Sequence, residues 1–302
     1  VAPDVATALP RPELAGHLGR LWGVRSVGPP EERTEPCVPG TALILALEHE
    51  WAIGASPDAP LQRMGGSFAG GVSLAPAVSR HEGRVHVLQV DLTPLGTVAV
   101  LGVPGAALAG AVVGLGDLVG EREAALLVER LAGIARWEDR FATLQDWIGR
   151  RAGDAPVPRP DVAWAAARID ATGGRVPIEL LQRELGCSRR HLSSRFREAV
   201  GVGPKAYARL VRFGRAQGLL QRSTLDLAGV AASCGYSDQA HLTREVRALS
   251  GVTPAVLRGD AADPAADGAG VADGVAGAGA DGASGDARPP VTSVQDGGPG
   301  RP

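Results

Sequence analysis

Lysine is almost missing from this 302-residue chain: Lys205 stands alone against 30 arginines. With heavy Ala and Gly usage, that reads as the codon bias of a GC-rich genome rather than as chemistry. Arginine is nonetheless the better residue for bidentate contact with guanine or phosphate. Cysteine is scarce as well. Cys37, Cys187 and Cys234 are odd in number, far apart and without a C-x-x-C partner, so a disulfide framework is excluded and a reduced cytosolic compartment fits. No apolar run is long enough to span a bilayer, and no signal-peptide pattern opens the chain, so the expected setting is the cytoplasm, with no membrane partner. The Ala/Gly/Val run Val98–Val113 is interrupted by Gly102, Pro104, Gly105 and Gly110, and is expected as a buried strand followed by a turn and a helix start.

Excess charge is also missing overall. The formal net charge of −2 argues, taken alone, against a nucleic-acid partner. The total hides an asymmetry. Residues 1–160 hold 14 Arg against 18 Asp and Glu, a net −4. Residues 161–258 hold 15 Lys and Arg against 8 acids, a net +7. Residues 259–302 hold 2 Arg against 7 Asp, a net −5. The basic charge therefore sits in one block of the chain, and a phosphate-binding face belongs there.

Organisation follows from the apolar pattern. Residues 1–152 read as one domain, mostly β at first. Ala42–Leu47 and Val85–Leu92 read as strands, and Gly65-Gly66 and Gly70-Gly71 punctuate like turns. From Glu121 to Arg150 the period becomes helical, with Leu126, Leu127, Leu131 and Ile134 on one stripe. Trp137, Phe141, Leu144 and Ile148 form a second stripe after a break. Residues 153–160, ending in Pro156-Val-Pro-Arg-Pro160, read as a stiff linker. Residues 161–258 read as all helical, over Asp161–Thr172, Pro177–Leu185, Ser188–Val200, Pro204–Gln221, Asp226–Ser233 and Asp238–Ser250. Residues 259–302 lack aromatics, bury too little apolar surface to offset ordering entropy, and are expected to be disordered.

The helical block repeats itself at a spacing of about 50 residues. His191-Leu192 returns as His241-Leu242, Arg197 as Arg247, Gly201-Val202 as Gly251-Val252, and Pro204 as Pro254. Upstream, Ile178, Leu181 and Gly186 match Leu227, Val230 and Gly235 at an offset one residue shorter. Each copy has the grammar of a helix-turn-helix. A short helix ends at a Gly suited to a left-handed cap. A capping residue follows, Ser188 in one copy and Ser237 or Asp238 in the other, and then a second helix. The apolar stripe of that helix is Leu192, Phe196, Ala199 and Val200 in the first copy, and Leu242, Val246 and Leu249 in the second. The other face presents Arg190, Ser193, Ser194 and Arg197 in the first copy, and Gln239, Ala240, Thr243, Arg244 and Arg247 in the second. Arg suits guanine and Gln suits adenine. Ser and Thr bond bases or phosphate, and flanking arginines hold the backbone. A rigid connecting helix would space the two units for successive major grooves, about 34 Å apart.

The stretch from Leu227 to Pro254, with its Ala-Ser-Cys-Gly-Tyr-Ser run and its closing Gly-Val-Thr-Pro, resembles the AraC/XylS family of bacterial transcription regulators. The resemblance covers about Ile178 to Arg258. Tyr236 and Val246 stand where that family usually has Phe, and the Val costs core volume in the second unit. By position, the family's base-facing residues fall on Arg190, Ser193, Ser194 and Arg197, then on Gln239, Ala240, Thr243 and Arg244, with Ala240 limited to an apolar contact such as a thymine methyl. The resemblance implies an α+β chain with a mostly β, cupin-like sensor domain carrying helices, then an all-α domain of two helix-turn-helix units. It implies sequence-specific binding of promoter double-stranded DNA, regulation of transcription by activation, and RNA polymerase as a further partner. A small-molecule effector and a homodimer are the remaining expected partners, and no cofactor is expected.

Two rivals come from other classes. An enzyme in the first domain would need a nucleophile or metal constellation. Cys37 has no supporting His or Asp and reads as ordinary, and His81 and His86 are five apart, not the four of a helical zinc motif. A cupin-type metal site on those two histidines stays open. A non-specific architectural DNA binder predicts basic clusters without polar base readers, which does not suit Gln239, Thr243 and Arg244. His191 and His241 read as packing or capping residues, and the five tryptophans as core or interface aromatics.

Overall fold

The structure, a computed structural model, describes residues 3–48, 50–153 and 159–259. Most of the expected linker and nearly all of the expected tail lie outside the described residues. The described residues begin with ten strands, interrupted by a single 3-10 turn at Pro12–Leu14 and, toward the end, by short helices. These are β1 (Asp4–Ala8), β2 (Leu18–Val27), β3 (Glu31–Glu35), β4 (Thr41–Glu48), β5 (Trp51–Gly54), β6 (Gln62–Met64), β7 (Phe68–Gly70), β8 (Ala77–His81) and β9 (Arg84–Leu92), with β10 (Val112–Gly114) following later. They form a six-stranded sheet in the order β1-β2-β9-β4-β7-β10 and a four-stranded sheet in the order β3-β8-β5-β6.

Alternation along the strands divides the large sheet into two apolar faces. Val24, Ala46, Val85 and Val87 point inward with Trp22 and Ile44, against Trp51 of the small sheet. Ile53, Met64 and Phe68 extend this inner layer. Leu21, Leu43, Leu45, Leu88, Val90 and Leu92 point outward and are almost fully buried under helices. Two of these are α4 (Glu121–Ala132) and α5 (Trp137–Gly153), separated by the expected break. Leu127 and Leu131 face this core, whereas Leu126, expected on the same stripe, is 55% exposed.

Val98–Val113 differs from its expected strand-then-helix order. It holds the end of α1 (Pro94–Leu101), then α2 (Gly105–Leu108), then the start of β10. The deciding residues lie upstream of the run. Thr93 accepts a hydrogen bond from the Gly96 N–H, Pro94 sits at the first helical position, and left-handed Gly102 closes the helix. A short α3 (Leu115–Val119) leads into α4.

Two histidines considered for metal are held apart by the fold. His81 packs edge-on to Trp51 with its Nε2 3.6 Å from Glu31, on the small sheet. His86 lies on the large sheet under α5, its Nδ1 3.0 Å from Glu48 and its ring edge-on to Trp137. Among the described residues no cluster of three or more metal-binding side chains occurs. Of the tryptophans expected as core or interface aromatics, Trp147 is 5% exposed in the core and Trp164 is 39% exposed.

The last part of the chain is helical throughout, within about two residues of expectation at each boundary. It comprises α6 (Pro160–Ala171), α7 (Ile178–Glu184), α8 (Arg189–Val200), α9 (Pro204–Arg222), α10 (Leu227–Cys234), α11 (Gln239–Ser250) and a short α12 (Pro254–Arg258) that the sequence pattern missed. Two cores result. Ile169, Leu181, Leu192, Phe196 and Tyr207 centre the first. Leu210, Phe213, Val230, Leu242, Val246 and Leu249 centre the second. Among the described residues no helix is long and apolar enough to cross a membrane.

Gly23 is what lets α5 lie on the large sheet. A Cβ there would fall 2.3 Å from the Trp137 ring, and Trp137 in turn donates its indole N–H to Asp4 Oδ2 at 2.9 Å. We expect Gly23→Ala to destabilise the fold by about 1–3 kcal/mol through overpacking, measured by urea unfolding. Gly16→Ala, which adds a methyl in open space, is the control and should be nearly silent; equal effects would contradict this packing.

Candidate nucleic-acid interface

The local chemistry of the repeat starts with its caps. Ser188 accepts the His191 backbone N–H at 3.2 Å and opens α8. In the second copy Asp238, rather than Ser237, is the cap, accepting the His241 backbone N–H at 2.6 Å. That N–H holds the Asp238 carboxyl below the usual carboxylate range. Ser237 instead hydrogen-bonds the His241 ring, which also packs edge-on to Tyr236. Of the packing or capping role expected of both histidines, His241 thus fulfils the packing one, while the His191 side chain is exposed.

Burial sorts the two faces of the second helix in each unit. Leu192, Phe196 and Val200 are buried on α8, and Leu242, Val246 and Leu249 on α11. Val246 is fully buried at the position of Phe196, so the smaller side chain still faces the core. Arg190, Ser194 and Arg197 are exposed on α8, with Ser193 half-buried beside them. Gln239, Ala240, Arg244 and Arg247 are exposed on α11, with Thr243 half-buried. Thr243 donates its O–H to the Gln239 carbonyl at 2.9 Å, which leaves its hydroxyl oxygen able to accept. None of Arg190, Arg197, Arg244 and Arg247 has a carboxylate at salt-bridge distance among the described residues. No salt bridge has to be broken for them to meet an external anion, although Arg244 lies within electrostatic reach of Asp238.

Other arginines are structural. Arg195 pairs with Asp161 at 2.6 Å and ties α8 to α6. Arg209 grips Glu245 through two hydrogen bonds of 2.9 Å and ties α9 to α11. Arg212 donates to the Gly174 carbonyl at 3.0 Å and lies over the Tyr236 ring, joining the two units. Sequence reasoning passed over Arg189, exposed in the first turn of α8 one turn before Ser193 and so at the edge of the face that holds the base readers. The doubled arginine after the Ser188 cap was the signal. It also read Cys37 as ordinary. Cys37 is in fact buried in the core of the second unit, its thiol pushed up to about 12 by burial.

A pair of capped helices, each turning an unpaired arginine and polar face outward on a helix-turn-helix frame, defines a double helix-turn-helix DNA-binding domain. Comparison with known proteins agrees. Residues 181–260 match the family described as Helix-turn-helix domain. The HTH-type transcriptional activator RhaR of Escherichia coli strain K12 is 35% identical over 75 residues, covering 25% of this chain and 27% of that protein. The carboxy-terminal region is thus similar to the helix-turn-helix domain of transcription regulators. The match spans little more than a quarter of the curated relative. Among solved structures, ToxT from Vibrio cholerae aligns over 86% of this chain and 99% of its own at 9% identity and a TM-score of 0.48. A regulator with an AraC-type DNA-binding domain from Chromobacterium violaceum aligns over 35% of this chain and 95% of its own at 26% identity and a TM-score of 0.32.

The Arg209–Glu245 pair is half-buried, between the exposed pairs that contribute almost nothing and the buried ones whose loss is severe. Glu245→Ala should lower stability in chemical denaturation by about 1–2 kcal/mol. An unchanged midpoint would show that α11 is positioned by its apolar face alone.

Proposed function

We propose that the chain is a sequence-specific regulator of transcription that reads promoter DNA with α8 and α11 in adjacent major grooves. The observation that carries this reading is the duplication itself. Two equivalent helices expose base-reading side chains, and the single helix α9 enters both cores and joins them. Arg190 and Arg197 serve one sub-site with Ser193 and Ser194. Gln239, Ala240, Thr243 and Arg244 serve the other, with Arg247 on the backbone. RNA polymerase is the partner that activation requires, since RhaR is named as an activator. A homodimer would place two such pairs on one operator.

The amino-terminal domain is the natural place for a signal. The indole nitrogens of Trp22 and Trp51 are buried without a hydrogen-bond partner. In the register of the small sheet, Trp51, His81 and Glu31 share one cross-strand row, and that row faces the inner layer. Two orphan donors beside a His and a carboxylate suit a small effector rich in acceptor oxygens.

Selection of a duplex from a random pool tests the DNA reading. We expect a two-part motif, with Arg244→Ala relaxing one part at a cost of about 1–3 kcal/mol and leaving the other intact. Affinity should fall steeply with salt, with a slope of about −0.9 per neutralised phosphate. Salt-sensitive but sequence-blind binding would favour an architectural protein instead. For the effector, thermal shift against a panel of hydroxylated and carboxylated metabolites should find a stabiliser whose effect disappears in the Trp22→Phe, Trp51→Phe double variant. A stabiliser that binds the double variant equally well would move the site elsewhere.

A further inference from the structure

The two recognition helices end in the same way, at left-handed glycines that are equivalent in the repeat, Gly201 and Gly251. Both ends are seated in the amino-terminal domain. At Gly201 a Cβ would meet Val72 Cγ1 at 2.7 Å and the Gly105 carbonyl at 2.8 Å. The contact is reciprocal: a Cβ on Gly105 would fall 2.5 Å from the Val200 carbonyl carbon. This is backbone against backbone, with no side chain able to yield. At the second end, a Cβ on Gly251 would meet Thr34 Cγ2 at 2.7 Å, and the Cys37 N–H donates to the Leu249 carbonyl at 2.9 Å. The last carbonyls of a helix have no partner within it, so the amino-terminal domain completes α11.

The two seats are linked within the amino-terminal domain. Val72 belongs to the first, and Pro76, 3.6 Å from the Gly251 position, to the second. Between them Ser73 Oγ donates to the Ala75 carbonyl at 2.9 Å and accepts the Ala75 N–H at 3.1 Å, which stiffens the connection. Gly110 N–H donates to the Val72 carbonyl at 3.0 Å and fastens the α2 side to the same segment. Pro76 then leads into β8, the strand that carries His81. The base-reading residues lie mostly toward the opposite ends of α8 and α11 and stay exposed, so docking leaves the reading face open.

We propose that the amino-terminal domain is a two-point clamp that sets the spacing at which the two recognition helices meet DNA, with Gly105, Val72 and Cys37 as positioning residues outside the DNA-binding domain. The inference rests on the DNA-reading function proposed above. Adding one base pair between sub-sites moves the second by about 3.4 Å and rotates it by about 35°, so a helix pair held at both ends discriminates spacer length. A pair held by α9 alone has more freedom to follow.

The test uses the full chain and the duplex it selects, rebuilt with spacers one base pair shorter and longer. Wild type should prefer one spacer by about tenfold or more. Gly105→Ala, which forces α8 off its seat, should compress that preference to about threefold or less while base preference within each sub-site is unchanged. Val72→Ala, which only removes volume, should act in the same direction and carries the test if Gly105→Ala does not fold. Variants that keep the wild-type spacer preference overturn the clamp, as do variants that lose spacer and base preference together, since that marks general damage. If wild type selects no sequence at all, the DNA reading falls and the clamp falls with it. If wild type selects a motif but tolerates every spacer, only the clamp falls.

Discussion

Helix α9 is the member on which the rest of the DNA-binding domain depends. Its 19 residues span about 28 Å at 1.5 Å per residue. Tyr207 and Ala208 are buried in the first core, while Leu210, Phe213, Ala216 and Leu220 are buried in the second. Tyr207 stacks obliquely on Phe196 and donates its O–H to Asp170 at 2.8 Å. Moving either unit along or around α9 would expose an aromatic side chain, at about 1.5–3 kcal/mol each. Each unit is therefore fastened to α9, and the amino-terminal seats restrict the freedom that remains between them.

The amino-terminal domain bears on that body through glycines and main chain, not through a broad side-chain interface. Its two-sheet core and its helical layer are separate apolar clusters, and among the described residues Cys37 and Val72 are its buried contributions to the core of the second helix-turn-helix unit. This economy has a mechanical consequence. Contacts between backbones at a few points have little slack, so a small rearrangement near β3 or β8 reaches the ends of α8 and α11 without being absorbed by rotamer changes.

Much of the carboxy-terminal domain was legible because its signals are local and redundant. The repeat, the Gly turns, the Ser188 cap and the apolar stripes all pointed to the same helices, and each is confirmed by burial or a hydrogen bond. The choice between Ser237 and Asp238 was not local, since either could cap; the structure gives the cap to Asp238 and uses Ser237 to hold the His241 ring. The first domain was only half legible. Its β9 was legible from the alternation of Val85, Val87, Val90 and Leu92 with polar residues although both faces of the strand are buried, but Val98–Val113 is apolar with no period of its own, since α1 is buried on nearly all of its surface. The Thr93-Pro94 start signal was the available clue. The seats for α8 and α11 were illegible for a different reason. Gly105 and Cys37 act through backbone position and a backbone N–H, which no side-chain pattern announces.

The central claim is that one chain reads two adjacent sub-sites on one face of the duplex. Hydroxyl-radical footprinting of the full chain on its selected duplex tests it most directly. The account predicts two protected patches about 10 base pairs apart on the same face, one of which weakens when α11 loses Arg244 and the other when α8 loses Arg190. A single patch that responds to both substitutions alike would contradict it.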